Sequence, residues 1–118
     1  MMPMRESDYG GGVPVDGYGP GFFRVAGQLH RGMVIVTAAG ARPWGGLADV
    51  APLAALGRSV DVLFLGMGAE IARPPAALLA ALENAGLMVE AMSTPSAARS
   101  YNLTLSEGRR VACALIPV

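Results

Sequence analysis

The chain has 118 residues, 53% of them hydrophobic and 15% charged, which suits one folded domain with one core and excludes a disordered chain. Nine basic and nine acidic residues cancel, every basic residue is arginine, and the only basic run is Arg109-Arg110, so the charge footprint of a nucleic-acid binder is missing. Cys113 is the one cysteine, which excludes an internal disulfide, and no apolar run approaches the ~20 residues that cross a bilayer.

Residues 1–14 carry three consecutive glycines, Pro3, Pro14 and scattered charges without periodicity, and are expected to be a flexible tail, with the globular domain spanning 15–118. Asp16 to Gly21 is too rich in glycine for a regular element, although it can pass through a tight turn or bulge. Phe22–Val25 and Gln28–Arg31 flank Ala26-Gly27 and predict an antiparallel hairpin, in which only one turn position is favoured. Met33–Thr37 predicts a further strand, and Arg42 to Gly46 an edge strand or loop, because Pro43 cannot donate to a ladder. Asp49 is expected to cap a short helix over about 50–56, with Pro52 in its first turn and Leu53 and Leu56 facing the sheet.

Val60–Gly66 is the central element. Its uninterrupted apolar run Val62-Leu63-Phe64-Leu65, closed by Gly66 and Gly68, is how a strand buried on both faces reads. Pro74-Pro75 opens a helix over about 75–85, stopped by Gly86, and Leu87–Met92 reads as a strand parallel to the central one. A second main helix over about 95–106 has Thr94 as its expected cap, Pro95 in its first turn and Gly108 after it; Ala98, Tyr101 and Leu105 fall on its buried face. Arg109–Ile116 is a last central strand. The fold class is therefore α/β, a mixed sheet with α+β character in a single compact domain.

Few residues offer chemistry. Cys113 lies among Val111, Ala112, Ala114 and Leu115 and reads as a buried small hydrophobe; His30 reads as a half-exposed strand residue and is the only imidazole available as a base. No metal-ligand spacing appears, no catalytic set is identified, and no cofactor is implied. The Gly66-Met67-Gly68 turn is a candidate phosphate cradle, but a dinucleotide fingerprint requires a small residue where Ile71 stands and a helix that starts sooner than Pro74. The remaining polar constellation is Thr94, Arg99, Tyr101, Asn102, Glu107, Arg109 and Arg110. Within it Arg99, Tyr101 and Asn102, facing the Gly66 and Gly68 turn, are the candidate ligand- or partner-binding residues.

Several segments together are similar to one small family: D-G-Y-G-P-G-F-F-R-V at Asp16 to Val25, R-P-W at Arg42 to Trp44, D-V-L-F-L-G-M-G at Asp61 to Gly68, and A-A-R-S-Y-N-L-T-L-S-E-G-R-R-V-A-C-A-L-I at Ala97 to Ile116. The bacterial and archaeal members of that family are largely uncharacterised domains, and its mitochondrial member is an assembly factor for respiratory complex I. The resemblance implies an N-terminal β-hammerhead-like region, two helices on a sheet and no established enzymatic activity. Ala98 stands where a cysteine is often found, Ser100 where threonine is usual and Met67 where the turn commonly has threonine, which argues against an indispensable thiol on that helix. Two readings follow. The first is a non-catalytic, cytoplasmic interaction domain whose protein partner belongs to respiratory-complex or membrane-protein assembly, the chain not being an integral membrane protein. The second is a small-molecule anion binder or weak enzyme around Arg99, Tyr101 and Asn102. A homodimer through the Phe22-Phe23 hairpin or an edge strand is compatible with either.

Overall fold

A computed structural model describes residues 2–3 and 9–118. Two sheets make up its β structure. The first is an antiparallel meander of β1 (Met2–Pro3), β2 (Val15–Gly19), β3 (Phe22–Val25) and β4 (Gln28–Arg31), in that order. The second contains β5 (Val34–Thr37), β6 (Gly40–Pro43), β7 (Val62–Gly66), β8 (Met88–Met92) and β9 (Val111–Leu115), ordered β6-β5-β9-β7-β8. β7 runs parallel to β8 and β9, while β5 is antiparallel to β6 and β9, so the sheet is mixed.

Alternation along three central strands divides the core in two. Val34 and Val36, Val62 and Phe64, and Val111, Cys113 and Leu115 face one side, where α3 (Thr94–Ser106) and the meander residues Val15, Phe23 and Val25 cover them. Ile35, Leu63, Leu65, Ala112 and Ala114 face the other, against Leu53 of α1 (Ala51–Ala55), Leu78 and Leu82 of α2 (Ala76–Asn84) and Trp44. Every residue of β7 and of β9 is buried, as expected for strands covered on both faces.

Three local expectations need correction. Val15–Gly19 is a strand despite its glycines, and it carries a register shift between Val15 and Gly17. Glycine suits this strand because a Cβ at Gly19 would lie 2.5 Å from the Phe22 ring. Asp49 does not cap α1: Val50 holds the cap position without a side-chain bond, and the Asp49 carboxylate accepts the Gly45 N–H at 3.0 Å. Thr94 does not cap α3 either; Ser93 precedes the helix, and Thr94 is its first residue. Of the residues expected to form a tail, 1 and 4–8 lie outside the described ones; Met2 and Pro3 pair with Tyr18 and Gly17, and the Val13 N–H donates to Ala38.

The β3–β4 hairpin turns through Ala26 and Gly27, at φ +52° and +76°, with Val25 opposite Gln28. These angles match the turn that fits strand twist, but a Cβ is strained at the first position. Ala26→Asn is expected to raise unfolding stability by about 1 kcal/mol, because asparagine tolerates the left-handed region better. Urea denaturation of the two proteins measures it.

Candidate functional site

The carboxyl ends of the parallel strands are where an open α/β sheet usually receives a ligand. Here that end is closed by the chain itself. The Gly68 N–H donates to the Thr94 hydroxyl at 2.8 Å, and that hydroxyl donates to the Ile116 carbonyl at 2.6 Å. Thr94 N–H donates to Gly68 C=O, Met67 N–H to Met92 C=O, and Ile116 N–H to Gly66 C=O. The turn's Met67 and Gly68 N–H groups, which a phosphate would need, are therefore already bonded. Thr94 is fully buried and joins the exits of β7 and β9 through a single oxygen.

Further along α3, Tyr101 and Asn102 turn toward the meander. Tyr101 O–H donates to Val13 C=O at 2.7 Å. Asn102 is buried and makes two bonds to one residue: its Oδ1 accepts the Val15 N–H at 2.9 Å and its Nδ2 donates to the Val15 C=O at 2.9 Å. That is the pair a neighbouring strand would offer, so the amide acts as a short strand edge for β2. Burial, with the nearby Cys113 sulfur as a lesser cause, pushes the Tyr101 phenol far above its ordinary range. Burial likewise raises Cys113, against a smaller opposing effect of its hydrogen bond with Val36, so this residue holds a neutral thiol in the core.

Arg99 is exposed on the outer side of α3. The candidate residues thus fall into three groups: Gly66 and Gly68 around Thr94, Tyr101 and Asn102 on Val13 and Val15, and Arg99 at the surface. Leu103, one turn after Arg99, is 63% exposed, and Glu107 continues the same outer stripe. Leu103 is absent from the candidate residues above; its position four residues after Arg99 and out of step with Ala98, Tyr101 and Leu105 is the signal that places it outside the core. His30 is half-buried in β4, opposite Phe23. Among the described residues no group of three or more His, Cys, Asp or Glu side chains is placed to hold a metal, and no helix is long and apolar enough to cross a membrane.

At the other end of the sheet, Arg110 and Asp61 form a two-point ion pair at 2.6 and 3.0 Å. The Arg110 hydrogen bond holds the exposed Asp61 carboxyl below its ordinary range.

The chain is similar to several known proteins. The sequence pattern of the family described as protein of unknown function (DUF498/DUF598) matches residues 15–116. An uncharacterized protein of Rhodobacter capsulatus is 55% identical over 117 residues, covering 99% of this chain and 94% of its own length. NADH dehydrogenase (ubiquinone) 1 alpha subcomplex assembly factor 3 of Danio rerio is 30% identical over 123 residues, covering 98% of this chain and 71% of its own. The crystal structure of an outer membrane protein from Bartonella henselae has the same fold, with a TM-score of 0.82, 33% identity, and coverage of 92% of this chain and 97% of that one.

Proposed function

Because the chain belongs to the DUF498/DUF598 family, we propose that it is a non-catalytic interaction domain of assembly-factor type, working in the cytoplasm on a protein of a respiratory or other membrane complex. The distant relationship to a complex I assembly factor, running over almost the whole chain, supports the reading. The observation that carries it is the division of labour on α3. The inward polar groups Thr94, Tyr101 and Asn102 are bonded to the backbone of other segments, while Arg99, Leu103 and Glu107 on the outward stripe remain at the surface. An arginine beside an exposed leucine combines a planar charge-paired anchor with an apolar contact, which suits a partner carrying an acidic and apolar surface.

In this reading Arg99 touches the partner. Tyr101 and Asn102 are positioning residues that fix α3 against β2, and Gly66 and Gly68 fix its first turn through Thr94. The competing anion site around Arg99, Tyr101 and Asn102 is less favoured, because the polar atoms it needs from Tyr101 and Asn102 are occupied by Val13 and Val15.

Affinity purification from the native cell, with the wild-type chain and Arg99→Ala as baits, tests the proposal. Wild type is expected to recover a membrane-complex or respiratory-complex protein, and Arg99→Ala to reduce that recovery by about fivefold or more, as loss of an interface arginine does. Reproducible recovery of nothing, or equal recovery by both baits, contradicts it. A second copy of the chain as the sole companion would replace the proposed partner with a homodimer.

A further inference from the structure

Each sheet ends in two edge strands, and an open edge is a template for another chain unless it is short, charged or interrupted by proline. β1 spans two described residues, β4 carries His30 and Arg31, and β6 ends in Arg42-Pro43. β8 is the exception. It pairs with β7 over all five of its residues without a register shift, carries no proline and no basic residue, and is the last strand of its sheet. The Met88 N–H donates to Asp61 C=O and the Met92 C=O accepts the Met67 N–H, so the alternation of the ladder turns the bonding groups of Met88, Glu90 and Met92 toward β7. Those of Val89 and Ala91 point off the sheet, and neither has a backbone partner among the described residues.

The side chains beside this open edge are apolar and acidic. Met92 packs with the core under α3, so by strand alternation Met88 and Glu90 lie on that same face, where Met88 is 61% exposed and Glu90 is exposed. The Ser100 hydroxyl donates to the Met92 sulfur at 3.6 Å, which sets one flank of α3 against β8. Ser96, Leu103 and Glu107 follow the helical repeat from Ser100 and share that flank. Met88, Met92 and Leu103 thus supply apolar surface, Glu90 and Glu107 supply carboxylates, and no arginine stands on β8 or on this flank.

We propose that the β8 edge takes up an extended segment of a partner protein as a further strand, with a basic side chain opposite Glu90 and apolar side chains opposite Met88 and Met92. Val89 and Ala91 supply the main-chain hydrogen bonds, and Met88, Glu90, Met92 and Leu103 select the side chains that alternate along the added strand. The required pattern, a basic residue with an apolar one two positions away on each side, reads the same in both chain directions. A second copy of this chain fits less well. Full overlap of two β8 strands about a two-fold axis sets Glu90 opposite Glu90, and like charges facing each other across a ladder destabilise it. The site rests on the proposed partner surface, since Leu103 and Glu107 belong to both; Glu90 takes the basic part of a partner whose acidic part meets Arg99.

Amide hydrogen exchange of the full chain, read by NMR, tests it with two capped probes, the peptide Ser-Leu-Thr-Arg-Thr-Leu-Ser and its counterpart with glutamate in place of arginine. In the chain alone, Val89 and Ala91 are expected to exchange fast and Met88, Glu90 and Met92 slowly. The arginine peptide is expected to slow Val89 and Ala91 saturably, by about tenfold or more, and the glutamate peptide to leave them unchanged. Glu90→Arg, a change at an exposed side chain, is expected to reverse that preference. Ala91→Pro is expected to abolish the slowing at Val89 while Met88 and Glu90 stay slow, because the N–H it removes faces away from β7. No slowing by either peptide, equal slowing by both, or slowing in the chain alone that grows with its own concentration would overturn the proposal, the last by giving the edge to a second copy. None of these outcomes involves Arg99 or a cellular partner, so recovery by the wild-type and Arg99→Ala baits remains the separate measure of the proposed function.

Discussion

Asn102→Leu is expected to destabilise the protein by about 3 kcal/mol, since it leaves the Val15 N–H and C=O without partners beneath a side chain of similar volume, and each orphaned buried group costs roughly 1–3 kcal/mol. The amide's two bonds to Val15 bridge segments 87 positions apart, so their loss loosens the meander from α3 as a unit. Asn102→Asp separates hydrogen bonding from packing. A neutral carboxylic acid at this position can still accept from Val15 N–H and donate to Val15 C=O, whereas the carboxylate sets two acceptors against each other. Burial raises the folded-state pKa of such a group above its unfolded value of about 3.9. Its stability is therefore fully present below that unfolded value and lost as pH rises through the folded one. Urea denaturation across this acid range should show Asn102→Asp approaching wild type at the low end and approaching Asn102→Leu near neutrality.

Gly57→Ala is the second large effect, expected at about 3 kcal/mol, the upper part of the range for overpacking. A Cβ at this position would lie 2.0 Å from the carbonyl oxygen of Ala85, which is backbone at the C-terminal end of α2 and cannot swing aside. The turn carrying Gly57 also carries Leu56, which belongs to the core beside α1 and α2, and precedes Ser59. Separating it from α2 therefore disturbs the packing of Leu56 as well. Thermal and urea unfolding give the loss, and amide shifts at Leu56 and Ser59 report the displacement.

The parts of this fold that were legible in the sequence are those whose signal is local. Val62–Gly66 announced its double burial by an unbroken apolar run, and Ala98, Tyr101 and Leu105 announced the inner face of α3 by their spacing. Gly17 and Gly19 misled in the opposite direction: low strand propensity was overridden by pairing to strands on both sides and by the Phe22 ring that lies over Gly19. Thr94 had the sequence position of a cap, yet its hydroxyl bonds residues 26 and 22 positions away, and nothing within the helix foretells that. The candidate site shows the same split. Asn102 was legible as a polar residue bordering a buried face, which must find partners, but not which partners.

The outer stripe of α3 is the surface proposed to meet a partner. A photo-crosslinking amino acid placed at Leu103 in the native cell tests this directly, with Glu83, exposed on α2 across the sheet, as the comparison site. The expected result is one discrete adduct from position 103, containing a membrane-complex or respiratory-complex protein, and none from position 83. An adduct from position 83 alone, or none from either, would contradict the account.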